Sequence, residues 1–257
     1  MVSGNFFNGM SYFKQGFGLI REPGLRLFVI LPLLLNIIIF ALFVYAIGSL
    51  YDELVLWLMN LLPEWLSFLD WLLWAVYGAL VIVIFAYGFV VVANIIGSPF
   101  YGYLSELTQK RLTGQDLQTD DDWKEILKTI PRSISREIYK LIYYIPRALV
   151  LLFIGMIPVV NVIAVVLWFV FSAWMMALQY VDYPSDNGKQ SFTDLKRYLQ
   201  ARRLTALGFG ILAYIASLVP LLNLVAIPAS VCGATAFWVK ESALDGVRMT
   251  NIRRPLR

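Results

Sequence analysis

Charged residues are absent from four long stretches of the chain, which consist largely of aliphatic and aromatic side chains. The stretches are Leu27–Tyr51, Trp71–Ser105, Ala148–Val181 and Leu204–Val239. Each exceeds the roughly 18 residues at which an uncharged apolar run indicates a membrane segment. The pattern therefore predicts an all-α integral membrane protein.

The residues before the first stretch follow a helical period. Apolar positions such as Phe6, Phe13 and Ile20 alternate at that period with polar positions such as Asn8 and Lys14. This arrangement predicts an N-terminal amphipathic helix that lies in the membrane interface. We expect no cleaved signal peptide, because the apolar part of a signal peptide is only about 7–15 residues long.

The basic residues predict which polar segments face the cytoplasm. Residues 52–70 contain four acidic residues and no Lys or Arg, whereas all 21 basic residues lie in the other four polar segments. Those segments are 1–26, 106–147, 182–203 and 240–257. Because cytoplasmic loops carry the excess of Lys and Arg, only 52–70 is expected outside, and both termini are expected in the cytoplasm.

This topology predicts two kinds of membrane segment. Residues 27–105 form a pair of transmembrane helices, whereas 148–181 and 204–239 each leave and return to the cytoplasm. Neither of the latter two contains the about 40 apolar residues that two full crossings require. Both carry a Pro-x-x-Asn sequence, at Pro158–Asn161 and Pro220–Asn223. We therefore expect two half-penetrating helical hairpins that turn at these prolines; two kinked single spans are the alternative.

Residues 106–147 form the main cytoplasmic segment, with amphipathic helical periodicity from Trp123 onward. Basic residues recur there at every fourth position, namely Lys124, Lys128, Arg132, Arg136 and Lys140. Such a stripe is typical of a solvated face near anionic lipid. An electrostatic funnel for an anion is the second interpretation.

Composition excludes several classes of site. The 257 residues contain no histidine and a single cysteine, Cys232, and their formal net charge is +4. A Ser-His-Asp triad, a His-ligated metal and an intrachain disulfide are therefore excluded. No Gly-rich phosphate-binding loop is present. We expect no enzyme activity, no cofactor, no metal and no nucleic-acid partner.

Residues Pro23–Arg26 form the most specific local pattern. Proline favours the first position of a helix, so a helix is expected to begin near Pro23. Backbone N–H groups at a helix start attract anions, Gly24 allows close approach to the backbone, and Arg26 can donate two hydrogen bonds to an oxyanion. The alternatives are an ordinary Pro-Gly turn and an Arg26 side chain that reaches the membrane surface.

Further short sequences, taken with this motif, make the chain resemble the CysZ family of bacterial sulfate permeases from about Tyr12 to Val239. The residues that carry the resemblance are Pro23–Arg26, Phe28–Leu34, Pro99-Phe100, Glu106, Arg111–Gly114, Arg136-Glu137, Pro146–Ala148, Leu167–Phe169, Phe171–Trp174, Gln179-Tyr180, Asp182–Pro184, Pro220–Asn223 and Val231–Ala236.

The resemblance implies sulfate transport across the bacterial inner membrane, supplying cysteine biosynthesis. We expect a single membrane domain over 1–257. The resemblance, which does not extend to the tail after Lys240, implies a homo-oligomer in the lipid bilayer, with a sulfate ion bound at Gly24, Leu25 and Arg26. Candidates for the ion path behind that site are Glu106, Arg111, Arg132, Arg136 and Arg147. Structural ion pairs are their alternative role, and a non-transporting membrane scaffold is the alternative function. Channel-like permeation and proton coupling both stay open, with Glu22, Glu106 and Glu137 as possible proton carriers.

Overall fold

The computed structural model describes residues 4–60, 70–114 and 123–252, and within these ranges all regular structure is helical. The described helices are α1 (Phe6–Leu19), α2 (Arg26–Asn60), α3 (Asp70–Thr113), α4 (Trp123–Gly155), α5 (Asn161–Asn187), α6 (Phe192–Ala201), α7 (Arg203–Ser217) and α8 (Pro220–Ile252).

The chain divides into two compact units. One unit, Pro32–Gly97, holds most of α2 and the first part of α3. Its described surface is strongly apolar, with Tyr45 and Trp71 among its exposed side chains. The other unit combines Met1–Leu31 with Ser98–Arg257 and contains every candidate ion-site residue.

Helices α4 and α5 form an antiparallel hairpin. About midway along it, the indole Nε1 of Trp174 donates to the Tyr143 hydroxyl at 3.3 Å. Farther from the turn, Arg132 Nε lies 2.7 Å from Asp186 Oδ1. Because later residues of α5 meet earlier residues of α4, the chain reverses between the two helices.

Helices α7 and α8 form a second antiparallel hairpin. The Phe209 and Phe237 rings lie 6.4 Å apart, and Arg202 Nε, just before α7, lies 3.4 Å from Glu241 Oε2. The Tyr12 hydroxyl of α1 donates to the other oxygen of Glu241 at 3.0 Å. Burial, together with this carboxylate, raises the pKa of Tyr12 above its ordinary value.

The Pro-x-x-Asn sequences lie at the two turns, in different conformations. In both, the backbone N–H of the asparagine donates to the carbonyl four residues earlier. The distances are 3.1 Å from Asn161 to Ile157 and 2.7 Å from Asn223 to Val219. The first connection spans 156–160 and contains Val159 at a φ of 73°. The second connection is only 218–219, and α8 begins directly at its proline. A proline fits the first turn of a helix, so the second repeat needs no longer loop.

Helix α1 packs between α7 and α8, and glycines of all three helices lie at these contacts. A Cβ at Gly9 would lie 2.0 Å from the Thr205 carbonyl oxygen, and one at Gly16 would lie 1.9 Å from that of Ala229. Small residues let helix backbones approach this closely, as is common between membrane helices. The packing holds the end of α1, and with it the following turn, against the second hairpin.

Two of the described segments, Ile130–Gly155 and Asn161–Asn187, are long and apolar enough to cross a membrane. The turn between them is strongly exposed and apolar: Met156 is 71% and Val159 is 87% accessible. Helix α7 is also apolar but has only 15 residues.

Candidate anion site

The Pro23–Arg26 motif lies in the turn between α1 and α2. The Leu25 amide donates to the Glu22 carbonyl at 3.2 Å, which closes the turn. Gly24 has a φ of 91°, in the left-handed region that glycine adopts without a steric penalty. Because that φ is not helical, α2 begins at Arg26, three residues later than Pro23.

The two residues that follow Gly24 have opposite environments. Leu25 is fully buried and anchors the turn in the core, whereas Arg26 is exposed. The Nε of Arg26 donates to the Arg21 carbonyl at 2.8 Å, which holds the guanidinium beside the start of α2. Among the residues that the structure describes, no carboxylate forms an ion pair with it. A guanidinium and the free N–H groups of a helix start are complementary to an oxyanion.

Arg111, near the end of α3, pairs with the acidic residue closest to this motif. Its Nε lies 2.6 Å from Oε2 of Glu22, two residues before Gly24. An unpaired carboxylate so close would repel an anion, and the guanidinium offsets that charge. The pair also joins the turn to α3.

A cavity of about 420 Å³ lies among α3, α4 and α5. We call it the charged cavity, because four basic and four acidic side chains line it. These are Lys110, Arg132, Arg136 and Lys189, with Glu106, Glu137, Asp182 and Asp186. The lining is thus balanced in formal charge rather than uniformly cationic.

Three charged residues of this lining form a buried network together with Lys140, which does not line the cavity. Arg136 Nη2 lies 2.5 Å from Asp182 Oδ1, and Lys140 Nζ lies 2.5 Å from Glu137 Oε1 and 3.3 Å from Asp182 Oδ2. All four side chains are buried. Charges in such a place persist only when they are paired, because desolvation otherwise costs several kcal/mol.

This network changes the interpretation of the basic stripe on α4. Arg136 and Lys140 face α5 inside the protein, so they belong neither to a lipid-facing surface nor to an open funnel. Arg132, one turn earlier, is about half exposed at the cavity and pairs with Asp186. The side chains of Lys124 and Lys128 lie outside the described residues.

Comparison with known proteins assigns the family. Residues 12–228 match the family described as Sulfate transporter CysZ/Etoposide-induced protein 2.4. A Sulfate transporter CysZ of Pseudomonas aeruginosa is 47% identical over 234 residues, which cover 91% of this chain and 95% of the relative. A protein of the same name from Pseudomonas syringae pv. tomato is 43% identical, over 95% of this chain and 97% of its own length. One from Pseudomonas fluorescens is 40% identical, over 93% of this chain and 96% of its own length. The chain belongs to this CysZ family.

The resemblance to the CysZ family that the sequence predicted is therefore confirmed. The matched residues include the Pro23–Arg26 turn and all residues that line the charged cavity. The match ends within α8, at residue 228, before the C-terminal part of that helix.

The structure brings some of the candidate ion-path residues together and separates others. Glu106, Arg132 and Arg136 line the charged cavity, and Glu106 pairs there with Lys110 at 2.9 Å. Arg111 lies instead at the Pro23–Arg26 turn, through its pair with Glu22. Arg147 lines a different groove, with its guanidinium carbon 3.7 Å from the centre of the Tyr143 ring.

Sequence reasoning missed Asp182 and Asp186, the acidic partners of the basic stripe. A signal for them was present. In a hairpin that turns at Pro158, residues equally far from the turn face each other, and Arg136 precedes this proline by 22 residues whereas Asp182 follows it by 24. Asp182 and Asp186 also repeat at four residues, matching the spacing of Arg132 and Arg136.

Proposed function

We propose that this protein transports sulfate across the bacterial inner membrane and so supplies cysteine biosynthesis. Three relatives at 40–47% identity carry the name Sulfate transporter CysZ. Anion binding at the Pro23–Arg26 turn is supported by the arginine that this turn holds beside the start of α2. The observation that carries the proposal is the Arg26 guanidinium, held at the start of α2 directly after a left-handed glycine.

We further propose that both hairpins enter the bilayer only part-way. Helix α7 has 15 residues, about 22 Å at 1.5 Å per residue, which is less than the about 30 Å of a bilayer core. In α4, the exposed Arg147 lies about 12 Å before the end of the helix at Gly155. A complete crossing by that arm would bury this charge in hydrocarbon, at a cost of about 3 kcal/mol or more.

The remaining topology follows the distribution of basic residues. Helices α2 and α3 cross the membrane, both termini are cytoplasmic, and α1 lies at the interface with its exposed Phe7 and Lys14. The functional form is a homo-oligomer, as the resemblance implies. In this oligomer, part of the apolar surface of the hairpins contacts neighbouring copies, and lipid covers the rest.

Sulfate binding at Gly24, Leu25 and Arg26 explains how a dianion leaves water. The site replaces part of the hydration shell with backbone N–H groups and a guanidinium, which lowers the cost of desolvation. Because Arg26 is exposed and the site is open, the ion is not enclosed by charges that would prevent its release.

The charged cavity supplies the next part of the path. Arg132 is partly exposed, so an incoming sulfate would replace Asp186 as its partner while the ion is bound, whereas Arg136 stays paired with the buried Asp182. When sulfate leaves, Asp186 takes back the Arg132 guanidinium. This exchange shortens the time that sulfate stays bound. Because acidic and basic side chains balance each other in the cavity, its empty and sulfate-bound states are similar in free energy.

Sulfate flux into proteoliposomes tests this function. Purified protein in liposomes should take up radiolabelled sulfate above protein-free liposomes. Arg26→Ala should lower the sulfate affinity about tenfold or more, since a charge-assisted hydrogen bond is lost. Arg21→Ala is the matched control, because the hydrogen bond from Arg26 goes to the backbone carbonyl of Arg21, which this substitution keeps.

Two outcomes would contradict these assignments. If folded protein gives no flux above empty liposomes, the chain is a non-transporting membrane scaffold. If Arg26→Ala and Arg21→Ala bind sulfate equally, the anion site lies elsewhere. The same flux measured with and without an imposed proton gradient separates channel-like permeation, which the gradient leaves unchanged, from coupling through Glu22, Glu106 or Glu137.

A further inference from the structure

A second concave surface, of about 980 Å³, lies among α4, α5 and the region where α6 meets α7. We call it the arginine groove, because Arg147 and Arg203 are its only charged lining residues within the described chain. The rest of its lining is mainly apolar and includes Val150, Leu167 and Val170. It shares no lining residue with the charged cavity.

The two arginines carry positive charge that the protein does not neutralise. In the part of the chain that the structure describes, neither Arg147 nor Arg203 lies within ion-pair distance of a carboxylate. Arg147 is nevertheless held in place, since its Nη1 donates to the Tyr143 carbonyl at 2.8 Å and its guanidinium stacks on the Tyr143 ring. Lys196 Nζ lies 5.5 Å from the same ring and adds a third cation beside the groove.

Charge and apolar surface are arranged in order along the groove. Arg147 and Trp174 lie on the part of the α4–α5 hairpin farther from its turn, whereas Val150, Leu167 and Val170 lie nearer the turn. In the membrane placement proposed above, the turn is the deepest point of the hairpin. The arginines therefore lie toward the membrane surface, and the apolar lining extends into the hydrocarbon.

We propose that the arginine groove binds one anionic phospholipid, with its phosphate on Arg147 and Arg203 and an acyl chain along Val150, Leu167 and Val170. Basic pockets between membrane helices are suited to anionic headgroups, and apolar grooves to acyl chains. A sulfate ion does not fit this lining, because mainly apolar walls cannot replace its hydration shell. The proposal rests on the membrane placement but not on sulfate transport.

Lipid titration of the purified full-length protein in detergent, followed by native mass spectrometry, tests this assignment. Phosphatidylglycerol should bind more tightly than phosphatidylcholine with the same acyl chains. Arg147→Gln combined with Arg203→Gln should weaken phosphatidylglycerol binding about 30-fold, at about fivefold for each basic residue near an anionic headgroup. Phosphatidylcholine binding should change little.

Matched controls separate the groove from general charge and hydrophobicity. Lys14→Gln combined with Arg197→Gln removes the same charge at exposed positions outside the groove and should leave the lipid preference intact. Val170→Trp should fill the groove and weaken both lipids, whereas Val165→Trp, at a 70% exposed position of the same helix that does not line the groove, should not.

Three results would overturn the assignment. The first is equal phosphatidylglycerol affinity in the groove and control double variants. The second is glycerol phosphate binding as tightly as phosphatidylglycerol, which would indicate a headgroup site without an acyl groove. The third is unchanged lipid binding in Val170→Trp. Sulfate flux is measured separately, so a failure here is distinct from a failure of the transport proposal.

Discussion

At the scale of single residues, one glycine determines where α2 begins and thereby what the anion site contains. Gly24 has a φ of 91° and lies within the turn that the Leu25–Glu22 backbone hydrogen bond closes. Helix α2 starts directly after this turn, at Arg26. A helix beginning at Pro23 would instead have placed Gly24 and Arg26 inside its first turn. The left-handed glycine thus makes Arg26 the first helical residue.

Gly24→Ala should weaken sulfate binding, because an L-residue in the left-handed region costs about 1–2 kcal/mol and would displace the start of α2. The measurement is sulfate affinity together with thermal unfolding. Gly114→Ala is the control, since Gly114 also has a positive φ, of 73°, and a Cβ there meets nothing within 4 Å. Both variants should lose similar stability, but only Gly24→Ala should lose affinity. Equal sulfate affinity in the two variants would contradict the assigned role of the turn.

A second residue-scale prediction concerns the buried pairs of the charged cavity. The side chain of Arg136 is 8% exposed and contacts two carboxylates, whereas that of Arg197 is 75% exposed and lies 3.7 Å from Asp194. Arg136→Gln should lower the free energy of unfolding by about 3 kcal/mol or more, because it leaves Asp182 with less compensation. Arg197→Gln should change it by less than about 1 kcal/mol. Comparable unfolding midpoints for the two variants would show that the network contributes little to stability.

At the scale of elements, α1 is held by close backbone contact as well as by its buried Tyr12 and Phe13 side chains. The same helix has one glycine facing α8 and another facing no neighbour: a Cβ at Gly16 would lie 1.9 Å from the Ala229 carbonyl oxygen, whereas one at Gly18 meets nothing within 4 Å. Because the Pro23–Arg26 turn follows α1 directly, displacement of this helix would also move the anion site.

Gly16→Ala should therefore destabilise the protein by about 1–3 kcal/mol through overpacking and expose α1 to proteolysis. Gly18→Ala should be neutral or slightly stabilising, since alanine has the higher helix propensity. Limited proteolysis and thermal unfolding of both variants in the same detergent compare them directly. Equal protease sensitivity would mean that α1 does not depend on this contact.

At the scale of the whole molecule, the patterns that sequence reasoning used are local or repeated ones. The long helices follow from uncharged stretches, and the reversals near Pro158 and Pro220 coincide with a repeated Pro-x-x-Asn sequence. The motif at Gly24 was visible because four consecutive residues carry it.

What sequence reasoning missed depends on contacts between distant segments. Nothing near Gly16 indicates that Ala229 lies against it, and the partners of Arg136 lie 46 and 50 residues later in the chain, at Asp182 and Asp186. The sequence of α4 alone does not show which basic residues of the stripe are buried, because buried and exposed ones recur at the same four-residue spacing. Only the antiparallel register of α5 distinguishes them.

The last prediction concerns the orientation of the hairpins, which local contacts do not determine. In a background with Cys232→Ala, Gly188→Cys should resist a membrane-impermeant maleimide added to intact cells and react in inverted vesicles. Gly188 is exposed at the end of α5, within the basic segment 182–203 that we place in the cytoplasm. Asn60→Cys, exposed at the end of α2 in the acidic segment 52–70, should show the opposite pattern and serves as the external control. Strong labelling of Gly188→Cys from outside would contradict the cytoplasmic placement of segment 182–203 and, with it, the proposal that the first hairpin enters the membrane part-way and returns.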